Sequence, residues 1–471
     1  MVPMASLFDV AFLGHLTEIR HLAGVALATV LFNYIYWSFG FLRMGTTGTT
    51  AQAAGRFDFE GVILTLLRNS LIALSIGIII VILQQPLQEF GFALMSASPE
   101  VKSSGRIYYQ MMVWGAPATL LNFVLVGWFL GREQGGRVLL MSAVSNCSNV
   151  LLNYLLIVRF GWESAGAGLA TALSQYLMLL VGISLICSEI SLGQLQGITP
   201  PKDTQRAVGA ALKAIDQSSA PKTISRRLAL KAISRRLALK AIANKVLDRN
   251  ALKATFLLNR DILVRTFAIV STSALFINLS SALGTLTLAT NTLLMQVVAL
   301  TSHFIDGLAF ATESLAGSFR GQGANEQLAP LAMLSGGISL SLGITFALLF
   351  AAFTNQLFGL LTNHSDVVDQ IDNYVLWLLP ILGFGSIAFM LDGYFLGLTE
   401  GSILRKSMVS SVIWGFAPMA VVAWQFQSSH LLWLALSLFM VARAVTLGVK
   451  VPRTFNFERE GVRGSKGEGG K

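Results

Sequence analysis

GYFLGLTEG, Gly393–Gly401, has a near copy earlier in the chain: GWFLGREQG, Gly127–Gly135, with five of nine positions identical. Each copy closes a long apolar run that contains a proline, Pro380 in one and Pro117 in the other. Working outward from these two places, apolar runs fall at about 7–16, 23–42, 62–83, 108–130, 138–158, 166–186, 262–283, 288–319, 331–361, 375–398, 408–424 and 431–449. The copies end the fourth and the tenth run. A motif recurring six helices apart, in the same direction, predicts two parallel six-helix halves related by an axis along the membrane normal. The expected fold is therefore all-α and polytopic, with twelve transmembrane helices in two pseudo-symmetric six-helix bundles. The first helix is short: Met1–Leu16 has fewer than the ~20 residues that span a bilayer.

The composition agrees. Of 471 residues 54% are hydrophobic and 12% charged, against about 25% charged in a soluble domain. The net charge of +10 does not imply nucleic acid, because the basic residues gather in loops and tail. Cys147 and Cys187 lie in apolar runs, so neither a disulfide framework nor a cysteine metal site is expected. His15, His21, His303, His364 and His430 are scattered without ligand spacing. No cleavable signal peptide is expected, since Asp9 sits where its apolar core would be.

A basic segment separates the halves. It contains ISRRLALKA twice in tandem, at Ile224–Ala232 and Ile233–Ala241. Such a segment can lie on an anionic membrane face or be a loop insertion, which costs little closure entropy. The expected domains are 1–187, an N-terminal six-helix lobe; 188–259, a basic cytoplasmic linker; 260–451, a C-terminal six-helix lobe; and 452–471, a disordered cytoplasmic tail. With the first helix pointing outward, the inner segments carry 29 Lys and Arg and the outer ones 4. That bias places the C-terminus in the cytoplasm of a multi-pass protein of the plasma (inner) membrane.

An ionisable group inside a bilayer is expensive and marks function by default. In the first half the polar residues within runs are Asp9, Asn122, Asn146, Asn149, Asn153 and Thr171. Spacings of three and four put Asn146, Asn149 and Asn153 on one helix face. There they either serve a carboxylate or cation, or make interhelical hydrogen bonds worth about 0.6 kcal/mol each. The second half offers Asp306, Glu313 and Asp392. Asp306 and Glu313 are two turns apart on one face. The four threonines and three glycines of Arg43–Gly55 make a small-residue surface that serves as a helix-packing face or a gate element. There is no phosphate-binding glycine loop, no metal motif and no nucleophile–base pair. No enzyme activity and no cofactor are expected, and transport without a nucleotide engine must run on an ion gradient. A desolvated carboxylate can exchange protons near neutral pH.

Three motifs carry a resemblance: FLRMGTTGTTAQAAG at Phe41–Gly55, FIDGLAFATESLAG at Phe304–Gly317 and FMLDGYFLGLTEG at Phe389–Gly401. Together they resemble the DinF branch of the multidrug and toxic compound extrusion (MATE) family, and the resemblance covers nearly the whole chain outside the linker and tail. It implies two six-helix lobes and cation-driven export of organic, usually cationic or amphiphilic, compounds. The family's first-lobe ion site joins a helix 1 Asp to a helix 5 Asn-x-x-x-Asp and a helix 6 Thr. Asp9, Asn149 and Thr171 match it. Asn153 departs from it, standing where the family commonly has Asp. Asp392 matches the family's helix 10 aspartate.

The expectation is an antiporter for a small organic substrate, coupled to H+ or Na+ and acting in the lipid bilayer as a monomer without nucleic acid. Asp9, Asn149, Asn153, Thr171 and Asp392 carry the coupling, with Asp306 and Glu313 as second-lobe acids. Asn122, Tyr34 and Tyr36 line the substrate cavity, where the aromatics can hold a cation on their π-faces. The alternatives are a flippase for a lipid-linked precursor and a non-transporting membrane protein from a truncated gene. The flippase reading wants basic residues inside the helices, and only Arg68 is counted there.

Overall fold

The computed structural model describes residues 19–93, 95, 98–189, 243–359 and 365–455. The first apolar run with Asp9, both ISRRLALKA repeats and most of the tail lie outside the described residues. The helices are α1 (Ile19–Ser38), α2 (Phe41–Gly55), α3 (Phe59–Ile82), α4 (Gln84–Ala93), α5 (Pro99–Met112), α6 (Ala116–Leu130), α7 (Gly135–Asn153), α8 (Glu163–Glu189), α9 (Arg249–Ala282), α10 (Thr285–Gln322), α11 (Leu328–Ala352), α12 (Thr354–Gly359), α13 (Ser365–Ile371), α14 (Leu378–Gly397), α15 (Gly401–Ser410), α16 (Ala417–Gln425) and α17 (Ser429–Gly448).

Ten helical segments among the described residues are long and apolar enough to cross a membrane. They coincide with the third to twelfth expected runs, and the chain is a multi-pass membrane protein. Ten of the twelve expected spans are seen among the described residues, for two reasons. The first run lies outside the described residues. The second is not one span over 23–42: the chain turns at Phe39–Gly40, leaving a short apolar stretch, Ala23–Asn33, in α1 and a separate helix α2. The polar small-residue segment is thus itself helical. Its threonines make this possible by satisfying their hydroxyls within the helix. Thr46 donates to the Leu42 carbonyl (2.6 Å), Thr47 to Arg43 (2.9 Å) and Thr49 to Gly45 (2.7 Å).

Chain contacts gather into two compact units. Among the described residues the first draws on 19–33, 58–125, 136–189 and 243–257. Here Phe32 of α1 stacks on Tyr109 of α5, ring centroids 4.9 Å apart, and meets Tyr108 edge-on. Small residues let backbones approach: Gly77 of α3 lies on Pro117 of α6, and Gly168 of α8 lies on the Tyr108 carbonyl. A buried hydroxyl pair, Ser104 and Ser164 at 2.7 Å, ties α5 to α8.

Among the described residues the second unit comprises Tyr34–Phe57, Val126–Gly135, 258–359 and 365–455. Its apolar core includes Phe276, Leu294, Ile381, Trp433 and Phe439. One polar hub sits among them. Asn291 donates to Ser280 Oγ (2.9 Å) and Ser429 Oγ (3.1 Å) and accepts from Trp433 Nε1 (2.9 Å), so the buried amide is fully used.

The two near-copy motifs do the same job within this unit. Gly127 and Gly131 lie on the carbonyls of Arg43 and Thr47 in α2, and Gly393 and Gly397 lie on those of Ala309 and Glu313 in α10. Every residue number in the second set exceeds its counterpart by 266 (393 against 127, 313 against 47). The same offset relates Gly55 on Ser318 to Gly321 on Gln52, which is one contact with the partners exchanged. It also relates the left-handed residues that stop the helices, Phe57 (φ 55°) to Gly323 (φ 77°) and Glu133 (φ 60°) to Thr399 (φ 58°).

A Cβ at Gly397 would stand 3.0 Å from the Glu313 carbonyl carbon and 3.0 Å from the Gly317 amide nitrogen. Backbone cannot give way as a flexible side chain can. Gly397→Ala is expected to cost about 1–3 kcal/mol by overpacking, read as a lowered melting temperature in detergent. An unchanged melting temperature would contradict the contact.

Candidate coupling site

In the first unit two of the three amides expected on one face, Asn149 and Asn153, bond to each other, and Asn146 is half-buried on the same helix. Asn149 and Asn153 are one turn apart on α7, 1% and 0% exposed. Asn153 Nδ2 donates to Asn149 Oδ1 (3.1 Å), and Asn149 Nδ2 donates to Thr171 Oγ1 of α8 (3.2 Å). The Thr171 hydroxyl in turn donates to the Ala167 carbonyl (3.1 Å). All three side chains are neutral. Helix α7 changes to π-helical winding over Tyr154–Arg159, directly after Asn153. Such π-turns are frequent at functional sites. Carboxamide and hydroxyl groups can ligate a hard cation or hydrogen-bond a carboxylate, but this cluster holds no negative charge of its own. Asp9, the expected source of that charge, lies outside the described residues.

Asn122 is also in the first unit, 2% exposed. Its amide donates to both the carbonyl (2.9 Å) and Oε1 (3.2 Å) of Gln175, linking α6 to α8. Tyr36 belongs to the second unit and is half-buried. The Tyr34 side chain lies outside the described residues.

The acids of the second unit are held by arginines. Asp392 on α14 accepts through Oδ2 from Arg443 on α17 (2.5 Å) and from Arg265 on α9. All three side chains are at most 8% exposed. Arg443 also lies over the rings of Phe389 (4.9 Å) and Phe439 (5.5 Å), a cation–π arrangement. Glu313, fully buried on α10, pairs with Arg43 of α2 at 3.4 Å, and Arg43 covers the Phe310 ring at 4.0 Å. Asp306, two turns before Glu313, is half-buried.

Two of these arginines overturn an expectation. Arg68 is not the only basic residue within a helix: Arg265 and Arg443, counted as linker and tail, lie well inside α9 and α17. Each interrupts an apolar run, DILVRTFAIV and LFMVARAVTL. That interruption was the readable signal, because a charge so placed must find a counter-charge. The charges also break the repeat. At the 266-residue offset, Asp392 corresponds to Val126 and Glu313 to Thr47.

Ten apolar spans that enclose buried amides and buried ion pairs define a polytopic helical membrane protein. The sequence profile of the MatE family matches residues 1–155 and 262–422, and the chain belongs to that family, on its DinF-like branch. Its members are transporters, not enzymes. DNA damage-inducible protein F of Escherichia coli K12 is 28% identical over 448 residues, covering 95% of this chain and 87% of that protein. Protein DETOXIFICATION 44, chloroplastic, of Arabidopsis thaliana is 24% identical over 461 residues, covering 94% and 77%. Among solved structures, the outward-facing conformation of a multidrug resistance MATE family transporter of the MOP superfamily superposes with a TM-score of 0.72. That structure is 18% identical, with 98% of this chain and 92% of that chain covered, a likeness of fold.

Proposed function

We propose that the chain is a secondary active antiporter that exports organic, cationic or amphiphilic compounds in exchange for protons, with sodium as the competing ion. The observation that carries this reading is the buried Asn153–Asn149–Thr171 hydrogen-bond series. It supplies neutral oxygen and amide groups that can serve a nearby carboxylate in either protonation state, and Asp9 is the carboxylate assigned to it. A hard cation such as sodium is held best by oxygen ligands with negative charge, and Asn153 removes one such charge from the family pattern. On this reading the chain has twelve helices in two six-helix lobes, 1–187 and 260–451, joined by the 188–259 linker. It works as a monomer in the plasma membrane, with its C-terminus in the cytoplasm. The constant 266-residue offset between packing contacts supports the duplication. Asp392, Asp306 and Glu313 set the charge of the second lobe, and Asn122, Tyr34 and Tyr36 line the substrate path.

The test is efflux of a cationic dye from proteoliposomes under an imposed proton gradient or an imposed sodium gradient. Proton-driven efflux that persists without sodium is the expected outcome. Efflux driven by sodium alone would refute the proton assignment.

Arg265 and Arg443 favour a second reading, a flippase for a lipid-linked anionic precursor, because they remove the objection that helix interiors lack basic residues. Both guanidinia are engaged by Asp392, however, so such a substrate must compete with an existing ion pair. Fluorescent-lipid scrambling in the same proteoliposomes, without dye efflux, would favour this alternative.

A further inference from the structure

We infer that the second unit carries a binding site for an anionic phospholipid, in a cavity of about 590 Å³ where its helices end. The cavity is lined by the C-terminal end of α10, by α15 along its length and by the segment that closes α17. These are the termini of membrane-crossing segments, so the cavity lies where lipid headgroups lie.

Its lining has two characters. Lys406, Lys450, Arg453 and Arg320 contribute four positive charges, against one carboxylate, Glu400. Arg320 is engaged, donating to Asn325 Oδ1 (3.1 Å) and to the Thr454 carbonyl (3.5 Å). Lys406, Lys450 and Arg453 form no salt bridge with the described carboxylates, although acid-paired cations are common elsewhere in the unit. Beside them Val445 and Val449 of the α17 end are 54% and 63% exposed, and Ile403 and Leu398 complete an apolar wall.

A soluble phosphate compound would use the cations and leave the wall bare. A zwitterionic lipid would use the wall and leave the cations without a counter-charge. An anionic phospholipid uses both, its phosphate at the three unengaged cations and an acyl chain along the valines. Basic pockets between transmembrane helices bind anionic headgroups by this chemistry. The inference is independent of the exported substrate and of the coupling ion.

The experiment uses the full-length protein in nanodiscs of phosphatidylcholine, with phosphatidylglycerol added in steps, and counts retained phosphatidylglycerol by native mass spectrometry. At roughly fivefold in affinity per basic residue near an anionic surface, the Lys406→Gln/Lys450→Gln/Arg453→Gln variant should bind about 100-fold more weakly. The control Arg56→Gln/Arg249→Gln/Lys253→Gln removes three exposed charges elsewhere and should bind as the wild type. Equal weakening in both variants would reduce the effect to overall charge and overturn the site. Unchanged binding in the first variant would overturn it too. Inorganic phosphate that competes at the concentration of lipid phosphate would show that the valine wall adds nothing and refute a lipid ligand. Val445→Ser/Val449→Ser, in which every charge remains, should weaken long-chain phosphatidylglycerol and leave a dihexanoyl analogue unaffected. This pair keeps the test open if the triple variant folds poorly.

Discussion

Asp392→Ala lowers the stability of the protein by about 3–5 kcal/mol, the cost of leaving buried charges without their partner. The expectation follows from the count of charges: two guanidinia meet one carboxylate, and none of the three side chains is more than 8% exposed. Removing the carboxylate leaves two like charges facing each other in a low-dielectric setting. Arg443→Met should be milder, because Arg265 and Asp392 remain as a one-to-one pair, although the contacts with Phe389 and Phe439 are lost. Tryptophan-fluorescence melting in detergent micelles measures both. An Asp392→Ala protein that melts with the wild type, or one less damaged than Arg443→Met, would show that the trio is not held together as described.

If Asp9 is the coupling carboxylate proposed above, Asp9→Asn is expected to reduce proton-driven export to the leak rate while leaving the fold and expression intact. Asn is nearly isosteric with Asp but cannot take up and release the proton. The partners assigned to it, Asn149, Asn153 and Thr171, already bond to one another, so loss of one negative charge should not unfold the cluster. Asn153→Asp is the complementary change. It adds a second negative oxygen group and should confer sodium dependence. Efflux from proteoliposomes with separately imposed proton and sodium gradients reads both variants. Full pH-driven activity in Asp9→Asn would move the coupling to Asp392 and Glu313.

The Thr-rich segment Arg43–Gly55 illustrates what local pattern can and cannot decide. Its glycines and threonines announced a close-packing surface, and that surface exists: Gly48 lies on the Leu396 carbonyl and Gly55 on Ser318. That the segment is a helix of its own, separated by a turn at Gly40, was not readable. Threonine has modest helix propensity, and here the helix is supported by hydroxyl-to-carbonyl bonds and by the backbones packed against it.

By itself the sequence determined the membrane class, ten of the spans and the motif pair whose packing contacts recur at the 266-residue offset. These follow from apolar length and local spacing, which depend on chain neighbours alone. It also put Asn149 and Asn153 on one face, because one helical turn separates them. Only the tertiary structure decided which charges meet. Arg265 and Asp392 are 127 residues apart in the chain and Arg43 and Glu313 are 270 apart, and no periodicity links such pairs. Their pairing is set by helix packing, which brings together side chains that cannot stay charged and buried unless a partner from another helix is in reach.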